Sequence, residues 1–316
     1  MFKDIENRFG AKIQDIKVLK SGWAGEIISL EFKDNTQKYV IKTYNSSKNG
    51  LENIKQEWTG LNLLYNANYP VPRPIISDFV NEKPYIVMEK IEGENLWTCY
   101  QTLSKEDREQ LLEKFVKVFF KLHELDVSIV DKELRKDSTS SFIEKEINEI
   151  KKLVEENKLE YFTQIIDWLQ KEKANIIGEK LSIIHRDYHP WNVIVDNNKA
   201  IYVIDLLWGI GDYRFDLAWM YTLMERSGFE DFSQNALKKY KELKNQNINN
   251  FEYFKVFSTL RWLINVMISL KTGENLNETR NKEFENFVSP LIQNGIMSIK
   301  KITGIQITII KLRLEN

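Results

Sequence analysis

The chain has 316 residues, 45 basic against 46 acidic side chains for a net charge of −1, and 42% hydrophobic content. That much apolar material supports a sizeable core and excludes a disordered chain, and so balanced a charge gives no reason to expect nucleic acid as a partner. The N-terminus has no basic-then-apolar leader, no stretch reaches about eighteen uninterrupted apolar residues, and the single Cys99 cannot form an internal disulfide; the expectation is a cytoplasmic protein with no membrane partner.

In chain order, residues 18–25 and 26–32 read as strand, glycine-containing turn, strand. Only Gly22 and Gly25 stand where a full phosphate-covering loop would carry G-x-G-x-x-G. The candidate phosphate contacts there are backbone N–H groups and the Ser21 hydroxyl. After a turn at Asp34-Asn35, Lys38-Tyr-Val-Ile-Lys42 resembles the V-A-I-K strand, whose terminal lysine reaches donor phosphates. Residues 51–65 place Ile54, Trp58, Leu61 and Leu64 near helical spacing, with Glu57 expected on an adjacent face. Glu57, fifteen residues after Lys42, is the candidate ion-pair partner for that lysine, and Glu52 the fallback. Ser104-Lys-Glu-Asp107 resembles a capping box that opens a helix to about Leu125, and helical patterns continue over 142–156 and 161–173.

The densest signal follows. After the apolar run 181–184 comes His185-Arg186-Asp187-Tyr188-His189-Pro190-Trp191-Asn192, then 193–195, a turn at 196–198, and the run 200–204 that delivers Asp205 at a strand end. Asp187, at a loop tip, can accept the proton of an attacking hydroxyl. Asn192, five residues on, and Asp205 supply oxygen donors suited to Mg²⁺, a hard cation. Kinases use this arrangement to hold a phosphoryl donor and an acceptor hydroxyl together. Helical patterns resume over 214–225, 235–243, 251–270 and 277–292, and the tail from Ile296 reads as β-like, most of all over 305–314.

These segments together resemble the aminoglycoside phosphotransferase/choline kinase-like superfamily over about residues 18–224. The resemblance rests on the variant catalytic loop 185–192, on Val203-Ile-Asp205, and on Gly211-Asp212-Tyr-Arg-Phe-Asp216-Leu-Ala218. Val71-Pro72-Arg73-Pro74 and the hinge-like run ending at Gly93 add to it. It implies an α+β, bilobal protein-kinase-like fold. A small antiparallel-sheet lobe over 1–93 would bind nucleotide, and a large helical lobe over 94–316 would carry catalytic loop, metal site and acceptor pocket. It further implies that adenine bonds to backbone near Glu89 to Ile91, that Asp187 is the catalytic base, and that Asn192 and Asp205 are metal ligands, with His185 bracing the loop. The implied activity is transfer of the γ-phosphate of ATP or GTP, with Mg²⁺, to a hydroxyl of a small acceptor. Antibiotics such as aminoglycosides or macrolides lead that list, and choline, amino alcohols or sugars are the alternatives. An idle nucleotide-binding scaffold on the same fold would not need Lys42, Asp187, Asn192 and Asp205 together.

Two departures leave the acceptor open. Trp191 stands where the family commonly has glycine, and Leu206-Leu207-Trp208 is bulkier than usual after Asp205. A protein acceptor is disfavoured, because no D-F-G, no A-P-E and no long segment between them are present. Glu92, Glu94, Asp212, Glu225, Glu230 and Asp231 could make an acidic pocket for a polycation, Trp208 with the apolar helix near Trp262 could floor a lipophilic acceptor, and Trp219 reads as core packing. Monomer and homodimer both fit the chain.

Overall fold

The computed structural model describes residues 1–21, 26–44, 48–79, 83–130, 138–272 and 278–308. In chain order the elements are α1 (Phe2–Phe9), β1 (Ile13–Ser21), β2 (Glu26–Phe32), β3 (Lys38–Thr43), α2 (Lys48–Asn66), β4 (Pro74–Asp78), β5 (Tyr85–Glu89), β6 (Gly93–Asn95), α3 (Leu96–Thr102), α4 (Lys105–Glu124), α5 (Thr139–Glu156), α6 (Thr163–Glu172), β7 (Ser182–Ile184), β8 (Val193–Asp196), β9 (Ile201–Val203), β10 (Gly209–Gly211), α7 (Tyr213–Arg226), α8 (Glu230–Lys244), α9 (Phe251–Thr272) and α10 (Glu278–Thr303). They form two compact units that no single cut in the chain separates: residues 1–118 with 190–208, and residues 119–189 with 209–316.

The first unit is built on a five-stranded sheet in the order β1-β2-β3-β5-β4, every neighbouring pair antiparallel. Its core follows from strand alternation. Ile28, Leu30 and Phe32 on β2 and Tyr39 and Ile41 on β3 share one buried face, closed by Ile5 of α1 and by Phe9, stacked on Phe32 with ring centroids 4.3 Å apart. Lys42, the residue after Ile41, must then lie on the opposite face. A second sheet, β6-β8-β9, belongs to the same unit and pairs Gly93 with Asp196. Only glycine fits at position 93, because a Cβ there would lie 2.1 Å from the carbonyl oxygen of Val195.

The second unit is mainly helical. Its core joins Ile143, Ile147 and Ile150 of α5 to Phe215 and Trp219 of α7, Phe254, Phe257 and Leu260 of α9, and Ile292, Ile296 and Ile299 of α10. The two-stranded sheet β7–β10 is antiparallel, with Ile183 opposite Ile210. Sheet-rich first unit and helical second unit together give the α+β class expected from the sequence.

The β-like reading of the tail from Ile296 is corrected. Residues 296–303 complete α10, because Ile292, Ile296 and Ile299 recur at helical spacing and are buried, and Gly304, at φ 75°, accepts the left-handed turn that ends the helix. Of the stretch 305–314, residues 305–308 carry no regular structure and the rest lies outside the described residues.

Candidate active site

Three predicted residues meet in the first unit. β3 turns Lys42 away from the Tyr39–Ile41 face, and its Nζ lies 2.9 and 2.7 Å from the two carboxylate oxygens of Glu57 and 2.7 Å from Oδ1 of Asp205. The face of α2 differs from expectation. Ile54, Glu57, Leu61 and Leu64 are all buried, so Glu57 lies inside the apolar stripe, and Glu52 is exposed. A carboxylate in such a stripe requires partners, and among the described residues it has Lys42 and the Tyr44 hydroxyl, which sits two residues beyond Lys42, just past the end of β3, and donates to Oε2. Burial alone would push the Lys42 ammonium down, but the charges of Glu57 and Asp205 overcome it and hold its pKa well above the ordinary value. Burial and the Glu57 charge push the Tyr44 phenol up, so it stays a donor.

Asn192 reaches the same unit through strand register. Val193 pairs with Val203 across the β8–β9 hairpin, and the Ile204 N–H donates to the Asn192 carbonyl at 3.0 Å. Asp205 comes one residue later, in left-handed backbone at φ 59°, a conformation that aspartate tolerates better than most residues. Asn192 and Asp205 thus stand at the same end of one hairpin, one supplying an amide oxygen and the other a carboxylate. Among the described residues no group of three or more His, Cys, Asp or Glu could cage a metal. Two protein oxygens are what Mg²⁺ takes when phosphates complete its shell, so the donor set fits that ion.

Trp208, considered above as an acceptor floor, is otherwise engaged. Its indole Nε1 donates to the Gln56 carbonyl at 2.7 Å, Gln56 Nε2 donates back to the Trp208 carbonyl at 2.6 Å, and the ring lies over Gly60, whose hydrogen leaves room for it. The bulky residue after Asp205 therefore packs on α2, the helix that carries Glu57. Glu89 ends β5 with its N–H donated to the Arg73 carbonyl at 2.9 Å, the Lys90 N–H donates to the Lys38 carbonyl, and Ile91 is half-buried beyond them. Ser21 ends β1 opposite Glu26, and Gly22 and Gly25 lie outside the described residues.

Asp187 belongs to the second unit. Its Oδ1 accepts from the indole Nε1 of Trp219 at 2.8 Å, and Nε2 of His189 lies 3.4 Å from the same oxygen. Burial raises the carboxyl, but the His189 charge and hydrogen bond, His185 and Trp219 outweigh it, so the pKa falls below the ordinary 3.8. The loop is braced from beneath. Asp216, wholly buried, accepts the N–H groups of His185 and Arg186, both at 2.7 Å, and fixes Arg186 at φ 71°. The Asp187 N–H in turn donates to Nδ1 of His185 at 3.2 Å. Behind Asp216, Nε2 of His123 is hydrogen-bonded to its Oδ2 at 3.1 Å, and Nδ1 of His123 to the Tyr240 hydroxyl at 2.7 Å. All three histidines of the chain therefore belong to this one constellation.

In the sequence alone His123 and Tyr240 show no part, Asp216 shows no role, and Trp219 reads as core. Trp219 is only 8% exposed, so burial and a polar contact coexist in one side chain. A histidine on the buried stripe of α4, one helical turn past Phe119, was the available signal.

Residues 15–248 match the sequence profile of the phosphotransferase enzyme family. No curated protein matches the chain by sequence. Among solved structures it is similar to a Ralstonia eutropha JMP134 protein assigned as an aminoglycoside phosphotransferase, at TM-score 0.71 and 16% identity, covering 95% of this chain and 97% of that one. It is also similar to a spectinomycin phosphotransferase in complex with ADP and spectinomycin, at TM-score 0.63 and 16% identity over 94% and 97%. The choline kinase LicA from Streptococcus pneumoniae aligns at TM-score 0.60 and 17% identity over 92% and 98%.

Proposed function

Because this chain belongs to the phosphotransferase enzyme family, we propose that it moves the terminal phosphate of ATP or GTP onto a hydroxyl of a small molecule. The observation that carries this reading is the Lys42 ammonium shared between Glu57 and Asp205, which supports a phosphate-contacting role for the lysine and a metal-holding role for Asp205. The spectinomycin complex and the choline kinase among its structural neighbours support a small-molecule acceptor.

The roles follow from the chemistry of each group. Lys42, held by Glu57, contacts the donor phosphates. Asn192 and Asp205 would hold Mg²⁺, which when bound offsets negative charge on the phosphates. Backbone around Glu89 and Ile91 would receive the adenine ring. Asp187, ionised at neutral pH, orients the acceptor hydroxyl and takes its proton, while Trp219 and His189 keep its carboxylate in place. Such transfer rests on positioning and charge neutralisation rather than a covalent phosphoenzyme.

The test is Mg²⁺-dependent nucleotide consumption across aminoglycosides, a macrolide, choline, homoserine and hexoses, with ATP and GTP, using Asp187→Ala as the blank. Acceptor-stimulated turnover that falls roughly 10²–10⁴-fold in the variant is expected. Undiminished turnover by Asp187→Ala would sink the base assignment.

A further inference from the structure

The second unit contains a cavity of about 800 Å³ between α7, α8, α9 and α10, within the size range of small-molecule sites. One of its walls is a continuation of the helix that holds Asp187. Trp219 donates to Asp187, and Thr222, one helical turn further along α7, already lines the cavity, as does Arg226 one turn beyond that.

Arg226 is the anomaly of this wall. The side chain is 3% exposed, its guanidinium lies 4.0 Å over the Trp262 ring, and Nη1 donates to the Thr222 hydroxyl at 3.3 Å. Among the described residues its buried Nε and Nη2 find no hydrogen-bond partner, and neither does the buried hydroxyl of Thr259 on the same wall. Leaving a buried cationic donor without an acceptor costs more than any other unmade hydrogen bond. Burial lowers the guanidinium pKa to about 9 even though the charges of Asp187 and Glu225 act to raise it.

The acidic residues of the wall do not make it a polycation site. Arg226, Lys255 and Lys301 balance Glu225, Glu230 and Glu252, and the Lys255 ammonium sits 3.6 Å from both Glu225 and Glu252. The acids are thus largely matched within the wall, whereas the buried donors are not.

We propose that this cavity takes the acceptor by an anionic group of the carboxylate kind, held by Arg226 and Thr259, so that the substrate is a hydroxy acid rather than an aminoglycoside. The inference deepens the phosphotransfer reading and rests on it for the identity of the reaction. A planar guanidinium is the side chain best matched to a carboxylate, through two parallel N–H···O bonds.

The test uses the full chain labelled with ¹⁵N at arginine, titrated with acetate and glycolate as the smallest carboxylate probes and with kanamycin as the polycation. The Arg226 Nε–H signal is identified by its loss in Arg226→Lys. Both carboxylates should shift that signal saturably while kanamycin leaves it in place. In calorimetry, glycolate affinity should fall about tenfold or more in Arg226→Gln and a few-fold in Thr259→Val, as expected for loss of a charged and a neutral hydrogen bond respectively. An Arg226 signal unmoved by either carboxylate, or moved by kanamycin at lower concentration, overturns the proposal, and this readout on the unaltered protein does not depend on the variants folding. Mg²⁺–ATP binding to the same sample is measured separately. If it fails while the carboxylate shift stands, the phosphotransfer reading falls and the anion site remains.

Discussion

Around Lys42 the partners are full charges, with Glu57 and Asp205 both within 2.9 Å of one ammonium. Around Asp187 they are hydrogen-bond donors and amides. Trp219 and His189 meet the carboxylate, and beneath it Asp216 collects two loop N–H groups and His123. A charge cluster tolerates loss of one member, because Lys42 keeps Asp205 when Glu57 is neutralised. A loop held in left-handed backbone by one buried carboxylate has no such reserve. The difference separates a cluster held by charge from a loop held by shape.

The sharpest way to break that contrast is Asp216→Asn. The amide keeps one acceptor oxygen and turns an NH₂ toward loop N–H groups that need an acceptor. We expect a loss of roughly 3 kcal/mol in urea unfolding, from buried donors left unpaired, together with near-complete loss of turnover. An unfolding midpoint equal to that of the unaltered protein would mean that Asp216 does not hold the loop. Glu57→Gln is the counterpart. Stability should change by no more than about 1 kcal/mol, because Asp205 still neutralises Lys42, while turnover drops on the order of tenfold as the lysine loses its second anchor. If Glu57→Gln instead unfolds the protein as readily as Asp216→Asn, the two regions do not differ in kind.

How far the sequence reveals each region follows the same line. The pairing of Lys42 with Glu57 is legible because a strand of period two and a helix of period 3.6 place two charged residues at a readable spacing. The common placement of Asn192 and Asp205 is legible through a hairpin whose turn residues are local. Asp216 and His123 lie 93 residues apart, and no local pattern announces that a buried histidine and a buried aspartate meet. Trp208 and Trp219 are only half legible for another reason: an aromatic ring has a large apolar body and a single donor, and sequence shows only the body. Helix α1 and strand β6 went unpredicted because both are short, and β6 owes its pairing to a distant partner strand.

Trp219→Phe sharpens the comparison on the Asp187 side with a smaller effect. The ring volume is largely kept and one charge-assisted hydrogen bond to Oδ1 is lost. Because the Asp187 pKa is depressed in the folded protein, its ionised form persists as pH falls, and removing a donor that stabilises the carboxylate must raise that pKa. The acid limb of the turnover profile should therefore move to higher pH, with turnover at neutral pH reduced less than tenfold. The same sign applies to stability. The part contributed by Asp187 is present above its unfolded pKa, is lost as pH falls through the folded one, and should be lost earlier in the variant. An acid limb that stays in place would assign Trp219 to packing alone.

The smallest effect on function belongs to the clamp between Trp208 and α2. In Gly60→Ala the new Cβ would lie 2.2 Å from the Trp208 ring, so the indole must move and its bond to the Gln56 carbonyl must stretch or break. Overpacking of this kind costs about 1–3 kcal/mol. Trp208→Phe, which keeps most of the ring and removes the donor, should cost about 1 kcal/mol. The informative quantity is nucleotide affinity. Trp208 follows Asp205 by three residues and grips the helix that carries Glu57, so displacing it should weaken Mg²⁺–nucleotide binding a few-fold in Gly60→Ala and hardly at all in Trp208→Phe. Equal affinities in the two variants would leave the clamp a packing contact, whereas a selective loss in Gly60→Ala would show that α2 sets the position of Asp205 as well as that of Lys42.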